Sequence, residues 1–231
     1  MIRWVIKWVL RLVVLSVLLG VAFLLSLNTI LRILIEHNIR AKTGMDAEIG
    51  RFQLGLTEPT ITVEDLKIYN PPSFGGTLFL RIPEIHVDYD REALARQQLH
   101  FTLVRFNLGE LCIVKNMRGQ TNLFCLGMGL NPSDLSQGGN GAEVLKKQTG
   151  LTFKGIDSLN VSVGTFKFID LQNRSKDRTQ VVGLDDQVLT NVRRKEDLAG
   201  LVVLVAMRSG DFFTQVFEPG GRQNGSFLPL W

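Results

Sequence analysis

In the stretch PEIHVDYD, Glu84, His86, Asp88 and Asp90 recur at every second position. Carboxylates and imidazole are the groups that bind divalent cations or exchange protons in acid-base catalysis. On a β-strand these four share one face, opposite Ile85, Val87 and Tyr89. Same-face neighbours along one strand stand about 7 Å apart, too far to converge on one ion unaided. The spacing reads as the solvated face of a half-buried strand, and no metal site is expected.

No other string supplies a reaction centre. His37 and His100 have no carboxylate or cysteine at a recognisable spacing, and no G-x-S-x-G, Walker or H-E-x-x-H string occurs. The glycines of SFGGT are followed by TLFLRI, not by the Gly-Lys-Ser/Thr that opens a phosphate-binding helix. The sequons at Asn160, Asn173 and Asn224 matter only in a glycosylating secretory pathway. The expectation is a non-enzyme with no cofactor.

Cys112 and Cys125 are the only cysteines. If Arg118 and Gly119 turn a hairpin, 112 faces 125 in a non-hydrogen-bonded pair with Cα atoms about 4.5 Å apart, within disulfide range. Two buried apolar fillers is the equal alternative. A disulfide would place the domain on an oxidising side of the membrane.

The elements that must position these residues follow from composition and period. The chain is 45% hydrophobic and 21% charged, with a formal net charge of +4. That charge draws partly on Arg3, Lys7 and Arg11, and no later basic run tracks phosphates, so nucleic acid is not an expected partner. From Arg11 to Arg32 twenty residues pass without a charge, and about twenty residues span a bilayer core. Leu12–Leu27 therefore reads as a transmembrane helix. A cleaved signal peptide fits less well, because VAFLLSLNT lacks an A-x-A-like site. Arg3, Lys7 and Arg11, interleaved with Trp4 and Trp8, mark the preceding end as cytoplasmic.

Residues 1–44 are thus an anchor and juxtamembrane helix, closed by Gly44, and residues 45–231 a separate domain with a flexible loop near 127–142. In that domain the period becomes two: Leu54 and Leu56, Ile61 and Val63, Leu66 and Ile68, Ile85 to Tyr89, Leu99 to Leu103, then Leu159 to Phe168. The register slips at Glu64-Asp65, where a bulge or bend is expected. REALARQQ reads as two helical turns, LDDQVLTNVRRKED as helix-like, and Leu201–Met207 as a docking helix or a buried strand. About ten strands spaced about 4.8 Å apart make a sheet about 45 Å wide.

PTITVEDLKIYNPPSFGG, RIPEIHVDYD, Leu94, Leu99-His100-Phe101 and RGQTNL together resemble the N-terminal part of the AsmA-like family of inner-membrane-anchored envelope proteins. Asn70-Pro71, Phe74 and Gly119-Gln120-Thr121-Asn122-Leu123 fill that family's motif positions. The resemblance covers residues 1 to 126, and more loosely 159 to 170. It implies a mainly β fold behind an N-terminal transmembrane helix: a curled antiparallel sheet forming an open groove, with short accessory helices, related to bridge-like lipid-transfer proteins. It further implies phospholipid transport or outer-membrane biogenesis, with membrane lipids and other envelope proteins as partners, a cytoplasmic N-terminus and a periplasmic domain.

On that reading the groove is lined by Ile61, Val63, Leu66, Ile68, Ile85, Val87, Leu99, Phe101, Leu103, Val161, Val163 and Phe166. The alternatives are a membrane-tethered scaffold with a dry β core and, on packing grounds alone, an ordinary sandwich. Phe74, the one large apolar residue in the NPPSFGG corner, is expected at a sheet rim within reach of lipid or a partner.

Overall fold

The computed structural model describes residues 2–55, 57–123, 146, 147, 149–210 and 212, without the side chains of 2, 3, 5, 6, 9, 10, 21, 24, 25 and 195. Leu56, Cys125 and the loop near 127–142 lie outside the described residues.

Helix α1 runs over Ile2–Thr43 and stops where Gly44 turns left-handed (φ 68°), its N–H on the Arg40 carbonyl at 2.9 Å. Among the described residues no helix is long and apolar enough to cross a membrane. The transmembrane helix expected at Leu12–Leu27 is therefore present as helix, and its crossing of a membrane is not supported by the structure.

Six strands follow: β1 (Asp46–Leu54), β2 (Thr60–Tyr69), β3 (Leu78–Tyr89), β4 (Gln98–Lys115), β5 (Thr152–Asp170) and β6 (Arg178–Val192). They form one open sheet in sequence order. Helix α2 (Arg91–Ala95) joins β3 to β4, and helix α3 (Ala199–Ser209) follows β6.

Three expectations are corrected. The sheet is mixed, because β4 and β5 run parallel while every other pair is antiparallel. Parallel neighbours need a crossover, which the 116–151 segment supplies. Among the described residues six strands form the sheet and span about 24 Å at the usual spacing, against an expected width of about 45 Å. LDDQVLTNV, read as helix-like for its charges, is the second half of β6, where exposure of alternate residues at a sheet edge admits a polar sequence. The apolar run at 201–207 takes the helical option.

The slip expected in β2 is present as Asp65, at φ 50°, and its counterparts cross the sheet. In each of β1 to β5 the apolar residues at this level are three apart rather than two: Ile49 and Phe52, Val63 and Leu66, Ile82 and Ile85, Leu108 and Leu111, Val163 and Phe166. Both members pack in the same clusters, so two successive residues per strand turn to the polar side. The step is built from Gly50, Asp65, Pro83, Gly109 and Gly164, with Gly183 at φ 58° in β6. A methyl group on Gly164 would stand 2.4 Å from the Gly109 carbonyl oxygen, so only glycine fits where β4 and β5 meet. Pro83, without an N–H for the ladder, is tolerated in a central strand at this break.

Candidate functional site

The residues that converge most extensively are apolar. Across the strands run the rows Ile49–Leu66–Ile82 and Phe52–Val63–Ile85–Phe106–Val161, each step a cross-strand pair. Two buried clusters, one over β1–β3 and one over β5–β6, share Phe106, Leu108, Leu111 and Leu123, so the apolar face is continuous. It is tightest at Phe79, Val182 and Leu184, each 2% exposed, and at Ile113 of β4, 1% exposed. Ile61, Val63, Ile85, Val104, Phe106 and Leu108 are half-buried.

The described helices sit at the margins of the sheet: α1 against β1, α3 against β6 and the short α2 against the start of β4. Along α1, Asn28, Arg32, Glu36 and Arg40 recur every fourth residue, on one helix face. Asn28 accepts from the Leu54 N–H at 3.1 Å and Glu36 from the Ile49 N–H at 2.8 Å. Arg32 donates to the Ile49 and Gly50 carbonyls at 3.5 Å, and Arg40 pairs with Asp46 at 3.1 Å. The helix thereby occupies backbone groups on the free edge of β1, while Leu31 and Ile35 join the apolar cluster. At the other margin Leu201, Leu204 and Val205 of α3, with Phe212, pack on β5 and β6, and the Phe212 ring lies 5.8 Å from Phe166.

Of the expected groove residues, Leu66, Ile68, Val161, Val163 and Phe166 are buried on this face, and Ile61, Val63 and Ile85 pack beside them. Val87, Leu99 and Phe101 are half-buried outside both clusters, with the Phe101 ring 6.4 Å from Phe153. Leu103 pairs with Asp88 and belongs to the polar face, because β4 carries one extra residue opposite Asp88 and Tyr89. Sequence reasoning missed Phe52, Ile82, Phe106, Leu108 and Leu111. A period of two carried on from Leu99, Phe101 and Leu103, or back from Ile85, places Phe106, Leu108 and Ile82 on the wrong side.

The opposite face is a field of cross-strand ion pairs. Arg51 pairs with Glu64, Glu84 with Arg105 at 3.4 Å, and Lys167 with Glu110 at 2.8 Å. Lys67 and Arg81 both hold Asp65, and the Lys67 hydrogen bond is the main reason its carboxyl lies below the usual range. His86 stands 2.8 Å from the Thr62 hydroxyl and 2.9 Å from Asp88. Among the described residues no three His, Cys, Asp or Glu side chains gather as a metal site.

His100, with no partner legible in its own segment, has two in space. Its Nε2 lies 3.0 Å from Asp157 and its Nδ1 3.3 Å from Asp90, the N-cap of α2. Asp157 first and Asp90 second raise the imidazole pKa. The Ala93 N–H bond first, then His100, lower that of Asp90.

The NPPSFGG corner lies at the far end of the strands. Pro72–Phe74 forms one 3₁₀ turn and Gly75 and Gly76 are left-handed, as a reversal requires. Phe74 is 4% exposed and packs on Cys112 and Val114, with Ile169 and Leu171 beside them, which corrects its expected place at an open rim. The side that receives it is the one Ile113 does not face, so the corner covers the polar-side surface of β4. Burial pushes the Cys112 thiol up to about 11. The turn at 116–119 closes with Lys115 opposite Thr121, one step from the register that faces 112 with 125. No family model matches the chain, and neither the curated proteins nor the solved structures include a match to it.

Proposed function

We propose that this chain is a single-pass, membrane-anchored, AsmA-like envelope protein whose sheet carries phospholipid acyl chains on its apolar face. In this reading it assists lipid transport or outer-membrane biogenesis, with other envelope proteins as partners. The observation that carries it is the continuous apolar face, half-buried at Ile61, Val63, Ile85, Val104, Phe106 and Leu108, with the described helices packed at its margins. Each apolar side chain left in water forgoes about 25 cal/mol per Å², so such a face favours an apolar occupant. The anchor is the uncharged stretch Leu12–Leu27, with Trp4 against Trp8 at 5.7 Å and Arg11 over Trp8 marking a cytoplasmic interface. The inner membrane and a periplasmic domain follow.

Photocrosslinking in intact cells from Phe106 and Val63 tests this. Reproducible lipid adducts at both, and none from Arg51 on the polar face, support the reading; their absence at all three positions counts against it. A membrane-tethered scaffold with a dry core is the second reading, favoured by the dense packing of Ile113, Phe166 and Phe168. It calls for adducts to one protein only.

A further inference from the structure

Lys146, Lys147, Lys154, Arg193 and Arg194 gather at one end of the sheet, exposed and with no ion pair among the described residues. On the polar face, by contrast, Arg51, Lys67, Arg81, Arg105 and Lys167 each hold a carboxylate. The fold itself draws the five together. Leu99 and His100 of β4 pair with Phe153 and Gly155, so Lys154 is an extra residue in β5 with no partner opposite. Val192 of β6 pairs with Ile156, which brings Arg193 to Gly155. A methyl group there would stand 3.3 Å from Arg193 Cγ and 3.1 Å from the Val192 carbonyl oxygen, so the glycine lets Arg193 lie against β5 beside Lys154. Lys146 and Lys147 belong to the turn just ahead of β5, where the Gly150 N–H meets the Lys146 carbonyl at 2.9 Å. Two nearby carboxylates are already engaged: Asp157 with His100 at 3.0 Å, and Asp197 with the N–H groups of Arg193 and Arg194 at 2.8 and 2.9 Å. Glu196 is exposed beside them. Like charges gathered in this way repel one another, so the cluster favours an anionic partner.

The partner follows from where α1 meets the sheet. Asn28, the residue after Leu12–Leu27, accepts from the N–H of Leu54, the last residue of β1, at 3.1 Å. From Leu54 a row of cross-strand pairs runs through Ile61, Val87, Val104, Leu159 and Leu189. Lys154 and Arg193 lie beyond this row, toward the end of the sheet at which the uncharged run leaves it. Neighbouring strands rotate by about 20–25°, so β5, four strands from β1, is turned by about 80–100° and carries its end along a bilayer surface rather than into the core. The polar layer on each side of a bilayer core is about 5–7 Å thick, and anionic headgroups in it attract Lys and Arg within a Debye length.

Resting on the membrane-anchored reading above, we infer that Lys146, Lys147, Lys154, Arg193 and Arg194 form a docking rim for the anionic headgroups of the membrane that holds α1. The rim lays the β5–β6 end of the sheet on that surface. The domain is thereby held at two places, by α1 along β1 and by the rim at the opposite margin, which fixes its tilt.

The test uses the full chain in nanodiscs, with Cys125→Ser to leave Cys112, whose buried thiol resists alkylation. Bimane is attached in turn at three exposed positions: Thr152→Cys on the rim, Met117→Cys at the far end of the strands, and Leu18→Cys in the uncharged run. The quencher is a nitroxide on the lipid headgroup. In phosphatidylcholine discs containing phosphatidylglycerol, quenching at 152 is expected to be at least threefold that at 117. It should fall to the level at 117 in discs of phosphatidylcholine alone, and in 1 M salt, where the Debye length is about 3 Å. Lys154→Glu with Arg193→Glu should lower it at least threefold. Lys146→Glu with Lys147→Glu, outside the strands, should lower it at least twofold with the sheet untouched. Inorganic phosphate at matched ionic strength should leave it unchanged. Equal quenching at 152 and 117, or quenching at 152 that survives both charge reversals, overturns the rim. Loss of quenching to phosphate makes the cluster a site for free anions and overturns docking on the membrane. Absence of quenching at 18 by a nitroxide deep in the acyl chain instead overturns the anchored reading beneath it.

Discussion

Asn122 Nδ2 donates to Asn70 Oδ1 at 2.8 Å, joining two segments 52 residues apart. The same amide donates to the Cys112 carbonyl at 2.9 Å and accepts from the Val114 N–H at 3.0 Å. Asn70 in turn ties the NPPSFGG corner through its N–H to the Thr77 carbonyl at 2.8 Å. Asn122 is fully buried and Asn70 nearly so. Asn122→Ala strands the Val114 N–H, and Asn70→Ala strands one Asn122 donor. An unsatisfied buried polar group costs about 1–3 kcal/mol. Both variants should lower stability by that amount in denaturant unfolding, and the double variant by less than the sum. Additive losses would mean that the two amides do not act together.

That pair explains why the N-P-x-x-F and G-x-T-N-L strings occur in one chain, although nothing in either string says that they meet. Much of β1 to β5 was legible from alternation, as were the Gly44 stop and the break at Asp65, whereas β6 was read as helix-like and the helix read over Arg91–Gln98 ends at Ala95. The sheet-wide extent of that break was not legible. Its effect in β3 to β5 is an apolar spacing of three, which a period-two reading treats as an error within one strand. The parallel pairing of β4 with β5 was equally hidden, because it depends on a crossover rather than on local pattern. His100 found its carboxylates 10 and 57 residues away, beyond any motif.

Gly164 tests the break directly. Gly164→Ala would press a methyl group on the Gly109 carbonyl, and overpacking of this kind costs about 1–3 kcal/mol. Gly200→Ala, in helix α3 with nothing within 4 Å of the added methyl, should cost nothing and can gain up to about 1 kcal/mol. The midpoints of denaturant unfolding decide the order. An equal loss at both sites would mean that β4 and β5 are not in close contact at Gly109.

The His100 clasp makes stability depend on pH. Because its folded pKa is raised, its contribution is complete below the unfolded imidazole value of about 6.5 and is lost as pH rises through the folded value. Asp90 has the opposite sign: its folded pKa is lowered, so its share is complete above the ordinary carboxylate value of about 3.9 and fades as pH falls through the folded one. Thermal unfolding midpoints should therefore be highest between these limits and decline above neutrality. His100→Gln should flatten the decline without changing the acid limb attributable to the Ala93 N–H bond. A wild-type slope above pH 6.5 that survives in His100→Gln would show that another group titrates.

The last prediction separates two roles of α1. If residues 28–43 complete the sheet edge, a chain beginning at residue 28 should be monomeric, although it lacks the uncharged stretch. A chain beginning at residue 45 exposes the backbone of β1 together with Ile49 and Met45, which are buried beneath the helix at 4% and 0% exposure. An open, apolar edge strand pairs with other copies, so the shorter chain should associate in sedimentation measurements at micromolar concentration. Glu36→Ala in the longer chain removes the Ile49 N–H partner and the Arg32 ion pair at 4.0 Å, and should cost about 1–3 kcal/mol while leaving it monomeric. A monomeric, equally stable chain from residue 45 would mean that this end of α1 is a linker with no part in closing the sheet.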